Sequence, residues 1–363
     1  MKKRIRVLIA EDSATSRELI RSILKTDPRI EVVGEAVDGI QAVNLARDLS
    51  PDVITMDIRM PRMDGFEATK KIMSESPTRI VIVSGQARGD TLNECMCALR
   101  FGALALLSKP TGPGAADFAK TSIQLLKTVK ALSDVEVIRR RHRPLSLAGK
   151  TPATDPAEKS SGAYGMVAIA ASTGGPPALL SILSKLSPDF PLPILVVQHL
   201  GVGFVEGFVK WLNFESPLPV CLARHREPLL PGTIYIAPDD CHLGVATSGA
   251  ISLSDDPPIM GFKPSASFLF RSAAEIYGRR ALAVVLTGMG QDGVDGLREV
   301  HRRGGTVLAQ DEASSVVWGM PGAAVAEKVV RQVVPLEHIA QTLVEEVSWE
   351  EETYGKARTH RRG

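Results

Sequence analysis

The chain has 363 residues, 23% of them charged, and a formal net charge of +2 at pH 7. This length suits two domains rather than one core, and so small a charge gives no support for a nucleic-acid partner. The four cysteines form no CxxC pair, and no apolar stretch approaches the roughly 20 residues that span a bilayer. We therefore expect reduced thiols, no direct membrane insertion and a cytoplasmic location.

The first third of the chain alternates short apolar runs with amphipathic segments. This alternation predicts parallel strands with helices on both faces, and in such sheets the functional residues collect at the carboxyl ends of the strands. The predicted strands are 7–10, 31–34, 53–56, 80–83 and 104–107, and the predicted helices are 13–26, 39–49, 65–74 and 91–101.

A change of composition separates this region from a second α/β region. Residues 128–162 contain a basic run, three prolines and a Ser-Gly stretch, which indicate a solvated linker. Strands are then predicted at 166–171, 194–197, 233–237, 282–286 and 306–309, with a β-hairpin over 244–253. The resulting division is 1–127 for the first domain, 163–348 for a mainly parallel, doubly wound second domain, and 349–363 for a flexible tail.

Polar residues follow four of the predicted strands in the first domain. Glu11 and Asp12 come after the first strand, Asp57 after the third, Ser84 after the fourth and Lys109 after the fifth. Three converging carboxylates favour a hard divalent cation such as Mg²⁺. With a cation bound, Asp57 is expected to accept a phosphoryl group, whose oxygens would contact Lys109 and Ser84. A helix cap and a turn would explain single pairs but not all five residues.

The segments VLIAEDS, DVITMDIRMPRMDG, VIVSG and SKP resemble the response-regulator receiver domain. That resemblance implies a flavodoxin-like (βα)₅ fold and phosphorylation of Asp57 by a histidine kinase. It also implies Mg²⁺ held by Glu11, Asp12, Asp57 and a backbone carbonyl near Arg59. Leu106 stands where the family usually has an aromatic switch residue.

The segment AASTGGP follows an apolar strand and precedes a helical stretch. Its glycines allow a sharp turn that places Ser172 at a helix N-terminus, where free N–H groups favour developing negative charge. A phosphate-binding loop or a simple N-cap would explain this segment equally well.

Two further strands end in residues that complete a nucleophile–base–orienter set. His199 ends one strand, and Asp292 lies in the glycine-rich loop TGMGQDG after another. A lone histidine is more often structural, and Asp292 alone could be a turn residue. Together with Ser172 they predict a hydrolase, with backbone amides near Thr173 and Met289 as oxyanion donors. The histidines elsewhere, His142, His225, His242, His301 and His338, lack such a setting.

The segments ASTGGP, VVQH, YIAP, FKPS, LTGMGQDG and QDEASSVVWGMP resemble the catalytic domain of chemotaxis protein-glutamate methylesterases. This resemblance implies a Ser172–His199–Asp292 triad supported by Met289, and no cofactor in this domain. It implies ester hydrolysis on the cytoplasmic part of chemotaxis receptors, deamidation of certain receptor glutamines, and control by a chemotaxis histidine kinase. Gly201 stands where the family commonly has proline.

Two alternatives remain open from the residues. The receiver could instead be fused to a non-catalytic anion- or protein-binding signalling domain. A transcriptional output is disfavoured because no helix-turn-helix pattern is present and the net charge is low.

Overall fold

A computed structural model describes residues 4–85, 90–115, 117–133 and 164–359, with residues 90–93 and 348–359 described by their backbone alone. The N-terminal domain is a five-stranded parallel sheet of order β2-β1-β3-β4-β5 with helices on both faces. Its strands are β1 (Ile5–Ala10), β2 (Ile30–Ala36), β3 (Val53–Met56), β4 (Arg79–Ser84) and β5 (Ala105–Ser108), and its helices are α1 (Ala14–Lys25), α2 (Gly39–Leu49), α3 (Gly65–Glu75), α4 (Asp90–Arg100) and α5 (Phe118–Ser133).

The predicted α/β architecture of this domain is confirmed. It forms because the central strands are apolar on both faces, which lets helices cover both sides of the sheet. All four residues of β3 are buried, as are the last four of β1. Three of the helices begin at a polar side chain that accepts a backbone N–H bond, namely Ser13, Asp38 and Asp64. Such caps satisfy one of the free amides that open each helix.

The C-terminal domain is a seven-stranded parallel sheet of order β14-β13-β12-β6-β7-β9-β8. An antiparallel hairpin, as predicted, stands outside it. The sheet strands are β6 (Met166–Ala171), β7 (Ile194–Gln198), β8 (Val220–Leu222), β9 (Ile234–Ile236), β12 (Ala281–Val285), β13 (Thr306–Gln310) and β14 (Gln332–Val334). The hairpin consists of β10 (His242–Val245) and β11 (Ile251–Ser254). The helices are α6 (Gly175–Leu183), α7 (Val205–Glu215), α8 (Ala266–Tyr277), α9 (Val294–Arg302), α10 (Met320–Ala326) and α11 (Leu336–Thr359).

Strand order places the functional edge of this sheet. The first strand, β6, lies in the middle, with β7 on one side and β12 on the other. The chain direction reverses at such a point and leaves a crevice at the carboxyl ends of the strands. Residues that follow β6, β7 and β12 therefore meet there.

The first domain extends beyond the boundary that was predicted from the sequence. Helix α5 runs to Ser133, six residues past the predicted end of the first domain at 127, and buries Leu125, Val129 and Leu132. The basic run of the predicted linker lies outside the described residues. None of the helices among the described residues is both long and apolar enough to cross a membrane.

The two domains pack directly against each other. Helix α4 lies on α7, where Arg100 and Glu215 form an ion pair of 2.7 Å. The Gly174 N–H donates to the Leu104 carbonyl at 2.9 Å, and Ser108 Oγ lies 3.5 Å from the Val202 carbonyl. The N-terminal domain thus contacts the second domain close to Ser172.

Candidate active site

The five residues singled out in the first domain belong to one edge of its sheet. Glu11, Asp12 and Asp57 offer carboxylate oxygens within 4.8 Å of one another. Lys109 Nζ lies 2.7 Å from Glu11 Oε2 and 2.9 Å from Asp57 Oδ2. Ser84 is buried at the end of β4, beside the Cys95 thiol. This edge of the sheet therefore carries a cluster of three carboxylates, and Lys109 forms ion pairs with two of them.

The electrostatics of this pocket fit a divalent cation. Burial raises the pKa of Glu11 and of Asp57 above the usual carboxyl range, although Lys109 opposes the shift at both residues. Three carboxylates are the hard oxygen donors that Mg²⁺ prefers, and a cation among them would stabilise their charged forms. The donor set is therefore chemically suited to Mg²⁺.

Ser172 lies in the tight turn between β6 and α6. Its N–H donates to the Thr287 carbonyl at 3.0 Å, and its own carbonyl accepts from the Gly175 N–H at 2.8 Å. Gly174, with φ +77°, is the N-cap residue of α6, and no side chain caps this helix. This left-handed conformation favours glycine and directs the chain abruptly into the helix. The Ser172 side chain stays half-exposed at the edge of the sheet.

The glycine-rich loop after β12 passes immediately beside the turn that carries Ser172. A Cβ on Gly288 would lie 2.8 Å from Ser172 Cβ and 2.4 Å from Met320 Sδ, so only glycine fits. Thr287 Oγ1 ties the two loops together, donating to the Thr173 carbonyl at 3.0 Å. Thr173 and Met289, the predicted oxyanion residues, therefore lie on adjoining loops.

His199 follows β7 and faces Asp292. Its Nε2 lies 3.1 Å from Asp292 Oδ2, but the contact lacks the alignment of a hydrogen bond. Catalytic contacts are often misaligned before substrate binds. Within the described part of the chain, the buried Nδ1 has no hydrogen-bond partner. Nε2 is therefore the ring nitrogen that faces the carboxylate, and Nδ1 is the one without a partner.

Asp292 is held at the N-terminus of α8. Oδ1 accepts from the Ser265 hydroxyl at 2.7 Å and from the Ser267 N–H at 3.2 Å, and Oδ2 accepts from the Ala266 N–H at 2.7 Å. Burial alone would raise the pKa of Asp292, but the contacts with His199, Ser265 and Ala266 outweigh it and lower the pKa. Asp292 is therefore a fixed anion beside His199.

Two other side chains fix the groups around His199. The Phe262 ring stacks on the imidazole with centroids 4.3 Å apart and an angle of 13° between planes. The Gln198 amide donates to the carbonyls of Ser172 and His199 at 2.9 and 2.8 Å. One side chain thus ties the backbone of Ser172 to that of His199.

The sequence analysis did not identify these supporting residues. Gln198 and Phe262 belong to the quoted segments VVQH and FKPS, but the residue pattern assigned them no role. His242 was set aside as lacking a functional setting, whereas its ring contacts the residue that binds Asp292: His242 Nδ1 accepts from the Ser265 N–H at 3.1 Å. The connection depends on tertiary packing and left no periodic signal.

Comparison with known proteins divides the chain in the same way. A family model described as CheB methylesterase matches residues 167–343, and one described as response regulator receiver domain matches residues 7–116. The crystal structure of the Thermotoga maritima CheB methylesterase catalytic domain is 40% identical and covers 50% of this chain and 98% of that chain, with a TM-score of 0.49.

Curated relatives match over nearly the whole length. Protein-glutamate methylesterase/protein-glutamine glutaminase 4 of Myxococcus xanthus is 51% identical over 93% of this chain and 96% of its own. The corresponding protein 3 of Anaeromyxobacter dehalogenans is 48% identical over 93% of this chain and 98% of its own. A relative of the same name from Nitrosospira multiformis is 45% identical, over 96% of this chain and 99% of its own.

Proposed function

Because the chain belongs to the family of protein-glutamate methylesterases/protein-glutamine glutaminases, we propose that it hydrolyses glutamyl methyl esters on the cytoplasmic part of chemotaxis receptors. Deamidation of specific receptor glutamines is the second activity, since it is the same acyl transfer with ammonia as the leaving group. The observation that carries the proposal is the convergence of Ser172, His199 and Asp292 at three neighbouring strand ends. A purely non-catalytic binding domain is not favoured, because the relatives are named as enzymes.

In the acylation step, Ser172 Oγ attacks the ester carbonyl carbon while His199 Nδ1 takes the hydroxyl proton. Asp292 stabilises the imidazolium through Nε2. Backbone amides near Thr173 and Met289 donate to the oxyanion of the tetrahedral intermediate. The intermediate collapses, the C–O bond to the methoxy group breaks, and His199 returns its proton so that methanol leaves.

In the second half-reaction, His199 Nδ1 removes a proton from water, which attacks the acyl carbon. The bond to Ser172 Oγ then breaks, and the serine recovers its proton from His199. The receptor side chain leaves as a glutamate. For a glutamine substrate, only the first leaving group changes.

The direct test is to incubate the full chain with methylated receptor fragments and to measure methanol release. Release that depends on enzyme concentration supports the proposal. Reaction of the chain with a serine-directed fluorophosphonate is a separate test, since a non-catalytic anion-binding loop has no activated nucleophile. A chain that neither releases methanol nor reacts with the reagent is not a serine hydrolase.

For the receiver we propose phosphorylation of Asp57 by a chemotaxis histidine kinase. Glu11, Asp12 and Asp57 would hold Mg²⁺, which neutralises charge between these carboxylates and the incoming phosphoryl group. An Asp57 oxygen attacks phosphorus, and the kinase imidazole leaves. Lys109 then exchanges a carboxylate contact for a phosphoryl oxygen, and Ser84 Oγ donates to another.

The receiver contacts support restraint of the hydrolase by the unphosphorylated receiver. The Leu104 carbonyl binds Gly174, two residues beyond Ser172, and Ser108, next to Lys109, approaches the loop after His199. A Cβ on Gly201 would lie 2.8 Å from the Ser108 backbone nitrogen. Gly201 thus permits a close approach between Ser108, which is next to Lys109, and the loop that follows His199.

Removal of the receiver is expected to raise esterase activity by about 10-fold. Linkage in one chain gives an effective concentration of about 1 mM, so a docking contact with a dissociation constant near 0.1 mM would be mostly closed. The deletion should end after Ser133, because α5 extends to that residue. Methanol release by residues 134–363 and by the full chain measures the difference, and equal rates would contradict restraint.

Asp57→Asn is expected to keep the basal esterase rate and to lose the increase that acetyl phosphate with Mg²⁺ gives the wild type. Asparagine has nearly the same shape but cannot form the acyl phosphate. Asp48→Asn is the control, because Asp48 is exposed on α2 and should leave the response intact. A normal response from Asp57→Asn would assign phosphorylation to another residue.

A further inference from the structure

His242 is completely buried at the start of the β10–β11 hairpin, and both its ring nitrogens are engaged. Nδ1 accepts from the Ser265 N–H at 3.1 Å, and Nε2 lies 3.2 Å from the Pro257 carbonyl oxygen. A carbonyl oxygen only accepts, so Nε2 carries the proton and the ring is a neutral imidazole. The Phe268 ring stacks on it with centroids 4.9 Å apart. His242 is therefore an acceptor in a fixed orientation.

Ser265 connects this imidazole to the active site. It is the N-cap of α8, and its hydroxyl donates to Asp292 Oδ1 while accepting from the Ser267 N–H at 3.2 Å. The next two backbone amides of α8 also donate to Asp292. The position of the Ser265 backbone thus determines where all three donors to Asp292 lie.

We propose that His242 and Ser265 form a positioning pair for Asp292. The Nδ1 acceptor fixes the Ser265 backbone, Ser265 fixes the carboxylate, and the carboxylate orients His199. In this proposal both residues act through Asp292 and His199 and do not touch the substrate. The pair should therefore affect the activation of Ser172 rather than substrate binding. This inference rests on the proposed function, because it assumes that Asp292 orients the catalytic base.

Two substitutions of similar size separate the acceptor role from simple packing. The side-chain oxygen of asparagine can take the place of Nδ1, whereas glutamine places its amide near Nε2 and leaves the Ser265 N–H unpaired. His242→Asn is expected to retain a fluorophosphonate labelling rate within about threefold of wild type. His242→Gln is expected to lose between about 10- and 100-fold, the range for a catalytic group displaced by about 1 Å.

A second pair tests Ser265 independently and decides the matter if the His242 variants do not fold. Ser265→Thr keeps the hydroxyl and should retain the labelling rate, while Ser265→Ala should slow it. His225→Gln is the control, because His225 Nδ1 also accepts a backbone N–H, from Leu253 at 3.1 Å, but His225 is exposed and Leu253 is not one of the donors to Asp292. It should label at the wild-type rate.

Labelling and methanol release are measured on the full, unphosphorylated chain, with melting temperatures to establish folding. The expected result is a lower kcat with an unchanged KM for His242→Gln and Ser265→Ala. Equal rates for the asparagine and glutamine variants, or for the threonine and alanine variants, would overturn the inference. Wild-type labelling without methanol release would overturn the proposed substrate and leave the positioning role intact.

Discussion

Ser172→Ala is expected to reduce methanol release by about 10⁶-fold, leaving only the residual catalysis that substrate binding and the oxyanion donors supply. The hydroxyl is the only group of Ser172 that enters the reaction, and no acyl-enzyme forms without it. Fluorophosphonate labelling of the chain should be lost at the same time. The measurement is methanol release from methylated receptor fragments at saturating enzyme.

The same change should leave the fold intact. Both hydrogen bonds that define the turn use the Ser172 backbone, and α6 has no side-chain cap to lose. The melting temperature and the phosphorylation of Asp57 should therefore match wild type. Ser184→Ala is the matched control, because Ser184 is an exposed serine at the other end of α6. Methanol release near the wild-type rate from Ser172→Ala would remove Ser172 from the mechanism.

The sequence was sufficient to predict most of the two sheets. Their central strands are continuous apolar runs such as Met166–Ala171, in which every residue is buried. The edge strands β8 and β14 were not predicted. Each has only three residues, which is too short to establish a pattern, and Gln332 and Val333 of β14 are also exposed. Burial on both faces is what makes a parallel strand readable from sequence.

The part of the candidate site that could be predicted from the sequence is the part that lies at strand ends. Ser172, His199 and Asp292 each follow a recognisable strand, so the parallel sheet brings them to one edge. Phe262 and His242 instead reach the site from a loop and from a hairpin outside the sheet. Their positions depend on how α8 packs, which no local spacing encodes. Contacts between the domains, such as that of Gly174 with Leu104, could not be predicted from the sequence either.

Asp292→Asn is expected to lower kcat by at most about 10⁴-fold, against about 10⁶-fold for His199→Ala. The orienter does not itself transfer the proton, so the base still works when the orienter is neutral. The geometry around Asp292 also favours a useful orientation of the asparagine amide. The Ala266 N–H, fixed by α8, approaches the oxygen nearest His199 at 2.7 Å.

That short contact selects oxygen rather than NH₂ on the side facing His199. The asparagine oxygen can then accept from Nε2–H, and Nδ1 keeps the lone pair that Ser172 requires. What is lost is the negative charge that stabilises the imidazolium, so proton transfer from Ser172 should slow although the base is still present.

The decisive measurements are the kcat values of Asp292→Asn, His199→Ala and the wild type at one pH. Asp295→Asn is the control, since Asp295 is exposed in the first turn of α9 and pairs with Arg298 rather than with an active-site group. It should keep the wild-type kcat. If Asp292→Asn kept full turnover, another carboxylate would have to orient His199. A loss as large as that of His199→Ala would instead mean that the amide is reversed and holds the proton on Nδ1, because only that tautomer leaves the base without its lone pair.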